Sequence, residues 1–263
     1  MNQLLSWVWA PFIALQFLTR LPVTFVPAWV YAGGLGQRRS LVFFPAVGIV
    51  TGGVVALAIA AARALALPPV AAAAIGVGAG ALLTGCFHED GLADTADAMG
   101  VPGRDDALRV MRDSRIGTYG AVALWFLLTV KTGLLSMMPT PALAALLISA
   151  HALGRWSSLP LAMALPYARE GSGLGAGIAS MISPVEVALG TIVMVLIVYA
   201  ALGFDEALIM IGVSILVLAL SGMFFRYRFG GVTGDCLGAA NQAIELAVLI
   251  VGVAAQATLF RPL

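Results

Sequence analysis

Long apolar runs separated by short polar loops dominate this chain. The runs lie at 41–62, 70–87, 119–138, 142–165, 185–203, 206–224 and 241–260. Each has about the 20 residues that an α-helix needs to cross a bilayer, and none alternates as the strands of a membrane barrel do. The pattern predicts an all-α fold, a polytopic integral membrane helical bundle of about seven transmembrane helices. We expect residues 1–263 to form a single domain.

The N-terminal segment 4–31 is also apolar, but Pro11, Arg20, Pro22 and Pro27 interrupt it. Proline removes a backbone donor and disrupts the interior of a helix. We therefore interpret the segment as an interfacial or re-entrant helix followed by an irregular stretch. One more crossing is the alternative.

Composition supports a membrane protein. Hydrophobic residues make up 61% of the chain and charged residues 10%, with a mean hydropathy of +1.01. Soluble domains carry about 25% charged residues. The net charge of +1 gives no indication of nucleic-acid binding. Cys86 and Cys236 lack metal-finger spacing, so neither a zinc site nor a disulfide is expected.

The arginines divide between the two sides of the predicted bundle. The loops 32–40, 88–118, 166–184 and 225–240 carry most of them, and only Arg63 and Arg261 fall on the opposite side. By the positive-inside rule the long, charged loops face the cytoplasm. A site on one face suits an enzyme better than a transporter, whose polar groups should lie near the bilayer midplane.

Acidic side chains cluster directly after the second apolar run. Asp90, Asp94 and Asp97 are spaced i, i+4, i+7, which on a helix places them within an arc of about 60°. Like charges on one stripe repel unless a cation lies between them. We therefore expect the three carboxylates to bind a cation.

Arginines follow the carboxylates along the same loop, where Arg112, Asp113 and Arg115 precede the next apolar run. Aspartates that hold Mg²⁺, together with guanidinium groups, are suited to neutralise a diphosphate. The alternative is a solvated loop with surface ion pairs.

A second loop is rich in glycine and precedes the last apolar run. Gly231, Thr233 and Gly234 predict a nest of backbone N–H groups at a helix N-terminus, which is an anion site. Asp235 has two compatible interpretations, a helix N-cap or an additional metal ligand. Arg169, beside a glycine-rich stretch interpreted as a lid, is available for a phosphate.

Several charged residues fall within apolar runs. His151 and Arg155 are one helical turn apart, and Lys131 lies on the preceding run. Facing inward, these side chains would contact an anionic substrate, and facing outward they would snorkel to the headgroups. Glu245, with Gln242, is either functional or reaches the interface from near its helix start.

Six motifs together resemble cobalamin synthase, the family of adenosylcobinamide-GDP ribazoletransferases. They occur in order from residue 17 to about 245 and so cover nearly the whole chain. The motifs are Phe17–Val23, Phe87–Asp97, Arg112–Thr118, Gly154–Trp156, Pro166–Arg169 and Gly230–Ala239.

The resemblance implies the last assembly step of the coenzyme B12 nucleotide loop. Adenosylcobinamide-GDP would react with α-ribazole or α-ribazole 5′-phosphate, giving adenosylcobalamin or its 5′-phosphate and releasing GMP. It also implies Mg²⁺ as cofactor, a multi-pass protein of the prokaryotic inner membrane, and an active site on the cytoplasmic side. The lipid bilayer is an expected partner, nucleic acid is not, and a homo-oligomer or a complex with other corrinoid-pathway enzymes is compatible with the family.

The residues and the resemblance together define a candidate site in three groups. The predicted catalytic residues are Asp90, Asp94 and Asp97; the predicted phosphate-binding residues are Arg112, Arg115, Arg169, Thr233 and Gly234; and the predicted metal ligands are Asp90, Asp94, Asp97, Asp113 and Asp235. Which carboxylate accepts a proton stays open at this point.

Position 89 departs from the family pattern, in which it is usually apolar, so no ligand role is assigned to Glu89. A phosphotransferase of the CDP-alcohol type is the main alternative, but its signature Asp-Gly-x-x-Ala-Arg is not met, because Leu92, Ala93 and Asp94 follow Gly91. A transporter is less favoured, and a structural scaffold would not need the carboxylate stripe.

Overall fold

The computed structural model describes residues 2–31, 34–169, 177 and 180–259, without the side chains of residues 2–4 and 256–259. Over these ranges the chain is helical, with short 3-10 turns and one isolated β-bridge between Tyr167 and Val232. The all-α prediction is confirmed.

The helices are named here in chain order. They are α1 (Asn2–Leu18), α2 (Leu35–Ser40), α3 (Phe44–Ala64), α4 (Pro69–Thr84), α5 (Phe87–Asp97), α6 (Arg104–Val110), α7 (Thr118–Met137), α8 (Thr140–Trp156), α9 (Ser158–Ala164), α10 (Pro184–Leu202), α11 (Phe204–Phe229) and α12 (Gly234–Leu259). The 3-10 turns are Ala28–Val30, Leu41–Phe43 and Ala98–Gly100. Proline occupies the first turn of α3, α4, α8 and α10, where its missing N–H costs no helical hydrogen bond.

Five helical stretches of the described chain are long and apolar enough to cross a membrane: Leu35–Ala64, Thr118–Met137, Pro184–Leu202, Phe204–Phe229 and Gly234–Ala255. The number becomes six if α4 and the stretch Phe87–Gly100, which meet at 91°, count as one broken span. The protein is thus a multi-pass membrane protein, but two of the seven expected helices differ from the prediction. The run 70–87 ends at an elbow, and the run 142–165 divides into α8 and α9.

The elbow between α4 and α5 arises from two successive residues in left-handed conformations. Gly85 has φ +67° and Cys86 has φ +58°. Glycine adopts this conformation at no steric cost and commonly ends a helix. The two residues turn the chain, so that α5 runs at a steep angle to α4. Helix α5 is not part of any of the five spans named above.

The N-terminal segment forms one helix followed by an irregular stretch, as predicted. However, Pro11 lies inside α1 and does not end it. The apolar part Leu5–Leu18 is shorter than a span. Its interfacial or re-entrant position stays a prediction.

Glycines allow α3 to pack closely against α8. A Cβ atom added at Gly48 would lie 2.4 Å from the backbone nitrogen of Ala152, and one at Gly52 would lie 2.6 Å from the carbonyl oxygen of Leu147. Gly53, by contrast, has open space around it. Gly48 and Gly52 therefore have a packing role, as small residues commonly do where membrane helices meet.

We expect Gly52→Ala to lower the free energy of unfolding by about 1–3 kcal/mol, because the new methyl group would overpack a helix contact that is made of backbone. Gly53→Ala is the matched control and should change stability by no more than about 1 kcal/mol, since alanine also has the higher helix propensity. Thermal unfolding of both variants in one detergent compares them. Equal losses would contradict the packing role.

Candidate active site

Helix α5 packs directly on α12 through a pair of glycines. A Cβ atom at Gly91 would lie 2.8 Å from the carbonyl oxygen of Asp235 and 3.2 Å from the Cα of Gly238. A Cβ atom at Gly238 would in turn lie 3.3 Å from the backbone of His88. This close contact brings the start of α12 onto the carboxylate-bearing helix.

Asp90, Asp94 and Asp235 come together as a result. Asp90 is exposed and Asp94 is half-buried. Burial raises the pKa of the Asp94 carboxyl to about 7, and the negative charges of Asp235 and Asp90 act in the same direction. Two helices thus bring carboxylates close together, and a cation between them would relieve their mutual repulsion.

Arg169 reaches the same place through a short backbone pairing. The N–H of Val232 donates to the carbonyl of Pro166 at 2.9 Å, and the N–H of Ala168 donates to the carbonyl of Val232 at 2.8 Å. The Arg169 guanidinium then forms an ion pair with Asp235 at 2.5 Å. The loop of Arg169 is therefore joined to the loop before α12, and Arg169 meets a carboxylate there; its predicted phosphate-binding role stays a prediction.

Thr233 and Gly234 begin α12. The Thr233 hydroxyl is buried and accepts a hydrogen bond from the N–H of Cys236 at 3.2 Å, so Thr233 caps the helix. Asp235 lies in the first turn, not at the cap. The phosphate-binding role of Thr233 and Gly234 stays a prediction.

Asp97 lies on the same stripe but makes different contacts. Its carboxylate accepts hydrogen bonds from the N–H groups of Gly117 at 2.7 Å and Gly120 at 2.8 Å. These groups belong to the start of α7, so Asp97 satisfies donors that this helix end leaves unpaired. Both oxygens are engaged in joining α5 to α7, and a catalytic or metal-binding role for Asp97 stays a prediction.

Asp113 and Arg115 pair with each other in an exposed loop. The guanidinium lies 2.6 Å from the carboxylate, and its hydrogen bonds lower the pKa of the Asp113 carboxyl to about 2. Arg112 is exposed in the same loop. The surface ion pair that was the alternative interpretation is therefore present, and the structure does not gather Asp113 with the stripe.

The carboxylates suit a cation that is bound jointly by protein and substrate better than one that protein side chains alone surround. Across the described ranges, no group of three or more His, Cys, Asp or Glu side chains is arranged to hold a metal ion by itself. Mg²⁺ usually keeps several waters and binds through one or two carboxylates plus substrate phosphates. The oxygen donors of Asp90, Asp94 and Asp235 fit that mode.

A second polar cluster lies inside the bundle. Glu245 of α12 accepts hydrogen bonds from Lys131 at 2.7 Å and from Arg155 at 3.0 Å, and His151 lies 3.4 Å away. Lys131 also donates to Gln242 at 2.6 Å. These side chains face inward and not toward the headgroups. Of the two orientations left open for Lys131 and Arg155, the inward one is therefore found.

Comparisons with known proteins agree with the motifs. The model of the family described as cobalamin-5-phosphate synthase matches residues 10–253. The chain belongs to this family. No solved structure matches it.

Relatives of this chain include proteins named adenosylcobinamide-GDP ribazoletransferase, of which three are described here. The protein of Ralstonia nicotianae is 40% identical over 90% of this chain and 92% of its own length. The protein of Leptothrix cholodnii is 39% identical over 91% and 92%. The protein of Shewanella woodyi is 36% identical over 90% and 92%.

Glu89, which the sequence comparison left without a ligand role, belongs to the interior cluster. One oxygen accepts a hydrogen bond from Gln242 at 3.3 Å, whereas Oε2 is buried with no protein partner in the described chain. Glu89 also lines a small cavity together with His88 and Lys131. Glu89 thus has no contact with the carboxylate stripe that would assign it a ligand role there.

We expect Glu245→Gln to lower the free energy of unfolding by about 3–5 kcal/mol, because it leaves two buried cations without their carboxylate. Lys131→Met should cost less, since Arg155 and Glu245 remain as a balanced pair. Thermal unfolding in detergent, followed by a spectroscopic signal of helix loss, measures both. Equal losses, or a larger loss for Lys131→Met, would show that Glu245 does not balance both cations.

Proposed function

We propose that this chain joins adenosylcobinamide-GDP to α-ribazole, or to α-ribazole 5′-phosphate, and releases GMP. The product is adenosylcobalamin or its 5′-phosphate, and the step completes the nucleotide loop of coenzyme B12. The observation that carries this proposal is the convergence of three family motifs on one site. They are Phe87–Asp97, Pro166–Arg169 and Gly230–Ala239, and the site is formed by Asp90, Asp94, Asp235 and Arg169. The names of the relatives support the same reaction.

The chemistry is one exchange at phosphorus. A ribose hydroxyl of α-ribazole attacks the phosphorus on the cobinamide side of the diphosphate, so a new O–P bond forms. The P–O bond to the GMP portion breaks, and GMP leaves with the bridging oxygen. The hydroxyl proton passes to a carboxylate. Such transfers depend mainly on positioning and on charge stabilisation.

Asp94 is the carboxylate that we assign as proton acceptor. It is half-buried, and this burial raises the pKa of its carboxyl, which favours a group that accepts a proton near neutral pH. Asp90, one turn earlier on the same face, is exposed and open to a substrate.

Asp90 and Asp235 would hold Mg²⁺, together with phosphate oxygens of the substrate. When bound, the ion neutralises the charge that develops on the diphosphate. Arg169, held 2.5 Å from Asp235, adds a fixed positive charge beside this place. The guanidinium is therefore positioned to exchange its carboxylate contact for a phosphate oxygen as substrate binds.

The proposed enzyme is one catalytic domain over residues 1–263 in the prokaryotic inner membrane, with its site toward the cytoplasm. The arginines of the loops on the site's side support this orientation. Assembly into a homo-oligomer or with other corrinoid-pathway enzymes stays a prediction.

The reaction itself is tested with purified protein in detergent. We expect GMP to appear only when adenosylcobinamide-GDP, α-ribazole and Mg²⁺ are present together, because attack by the ribose hydroxyl breaks the diphosphate. Chromatography of GMP and of the corrinoid product measures it, with each component omitted in turn. GMP release without α-ribazole would indicate a hydrolase and overturn the transferase proposal.

Variants separate the two carboxylate roles. Asp90→Asn should raise the Mg²⁺ concentration for half-maximal activity by about tenfold or more, because a ligand loses its charge. Asp94→Asn should lower kcat by about 100-fold or more even at saturating Mg²⁺, because the base is lost. Asp105→Asn, in the exposed first turn of α6, is the control for loss of a nearby carboxylate. An unchanged Mg²⁺ dependence in Asp90→Asn would rule out its ligand role.

A further inference from the structure

The motif that ends α1 takes no part in the site described above, although its backbone is fixed beside it. The Thr19 hydroxyl donates to the carbonyl of Leu15 at 2.7 Å and accepts the N–H of Leu21 at 3.3 Å. The N–H of Arg20 donates to the carbonyl of Leu83 at 2.7 Å. Arg20 is therefore tied to the last turn of α4 by its main chain alone.

The Arg20 side chain lies over the elbow that leads into α5. A Cβ atom at Gly85 would lie 2.2 Å from Nε and 3.0 Å from Cζ of Arg20, so the guanidinium occupies space that only glycine leaves open. The ring of Phe17, three residues earlier, meets that of Phe87 edge-on at 5.9 Å. The end of α1 is thus packed on the first turn of α5, the turn that presents Asp90.

Arg20 lacks the partners that three other arginines near the site have. Arg169 and Arg115 are paired with carboxylates, and Arg228 donates to the carbonyls of Ala98 at 2.9 Å and Gly103 at 3.3 Å. The Arg20 guanidinium is exposed and has no hydrogen bond or ion pair to any described residue. Its backbone is fixed, and its charged side chain meets no anion in the described chain.

We propose that Arg20 binds a phosphate oxygen of the diphosphate of adenosylcobinamide-GDP, an inference that rests on the proposed function. A guanidinium is a planar, permanently charged donor that suits phosphate oxygens. Its place over Gly85 sets it at the entry to α5, whose first turn carries the exposed Asp90. Arg20 is then a substrate-binding residue, and it supplies positive charge from the α1 side of the site.

Side-chain variants test the contact directly. Arg20→Gln should raise both the KM for adenosylcobinamide-GDP and its Kd, measured without α-ribazole, by about tenfold or more, as expected for a lost charge-assisted hydrogen bond. Arg20→Lys should recover part of the affinity because it keeps the charge. The KM for α-ribazole should not change. Arg226→Gln, on the exposed face of α11, is the matched control.

A glycine pair tests the position of the side chain without altering its charge. Gly85→Ala should raise the KM for adenosylcobinamide-GDP, since the methyl group displaces the Arg20 guanidinium. Gly34→Ala has the same left-handed backbone strain, at φ +73°, with no atom within 4 Å of the new Cβ, and should leave that KM unchanged. The comparison removes the effect of backbone strain.

Lipid headgroups also carry phosphate, so the assays are run in a non-ionic detergent and in phosphatidylglycerol vesicles. The proposal expects the KM effect of Arg20→Gln in both. An unchanged KM and Kd with a loss of thermal stability only in the vesicles would assign Arg20 to a headgroup and overturn it. If wild-type protein releases no GMP, the proposed function fails; if wild type is active and Arg20→Gln binds substrate normally, this inference alone fails.

Discussion

The pairing of the buried Glu245 carboxylate with two buried cations, Lys131 and Arg155, is the constraint on which the arrangement of this bundle depends. Glu245 and Arg155 are each 2% exposed and Lys131 is 7% exposed, so water does not solvate these charges. Leaving one of them unpaired in such surroundings is costly. Because the three residues belong to α12, α8 and α7, their contacts fix the rotation and the height of these helices relative to one another.

That constraint reaches the site through α12. Glu245 lies ten residues after Asp235, which corresponds to about 15 Å of helix. Once Glu245 is held, the start of α12 is also held, and Gly238 meets Gly91 of α5 with no side chain between them. The carboxylates converge because this contact is short. The interior cluster, which takes no direct part in the proposed chemistry, thus determines the geometry of the part that does.

The spacing of Asp90 and Asp94 was sufficient to predict their common face, because i and i+4 lie together on any helix. It was not sufficient for Asp97, whose neighbours come from the start of α7, twenty residues further on. The sequence also grouped Arg115 with the diphosphate, whereas the nearest anion in space is Asp113. Likewise, apolar periodicity could not decide which way Lys131 and Arg155 face, since that depends on a partner on α12. The spacing of residues along the chain thus predicts which side chains share a helix face, whereas the packing of distant helices decides which side chains they contact.

The elbow between α4 and α5 shows why the site lies where it does. An apolar run predicts one straight helix, yet the φ angle of +58° at Cys86 is uncommon for a residue with a side chain and costs about 1–3 kcal/mol. Two hydrogen bonds support the turn, from the N–H of Cys86 to the carbonyl of Ala81 and from the N–H of Arg20 to the carbonyl of Leu83. The bend swings α5 away from the axis of α4, so that Asp90 stays exposed while the opposite face of α5 packs on α12. A straight continuation of α4 would extend these carboxylates along its own axis and away from Asp235. The strained turn therefore makes the site possible, and the segment that supports it also carries the guanidinium placed at its edge.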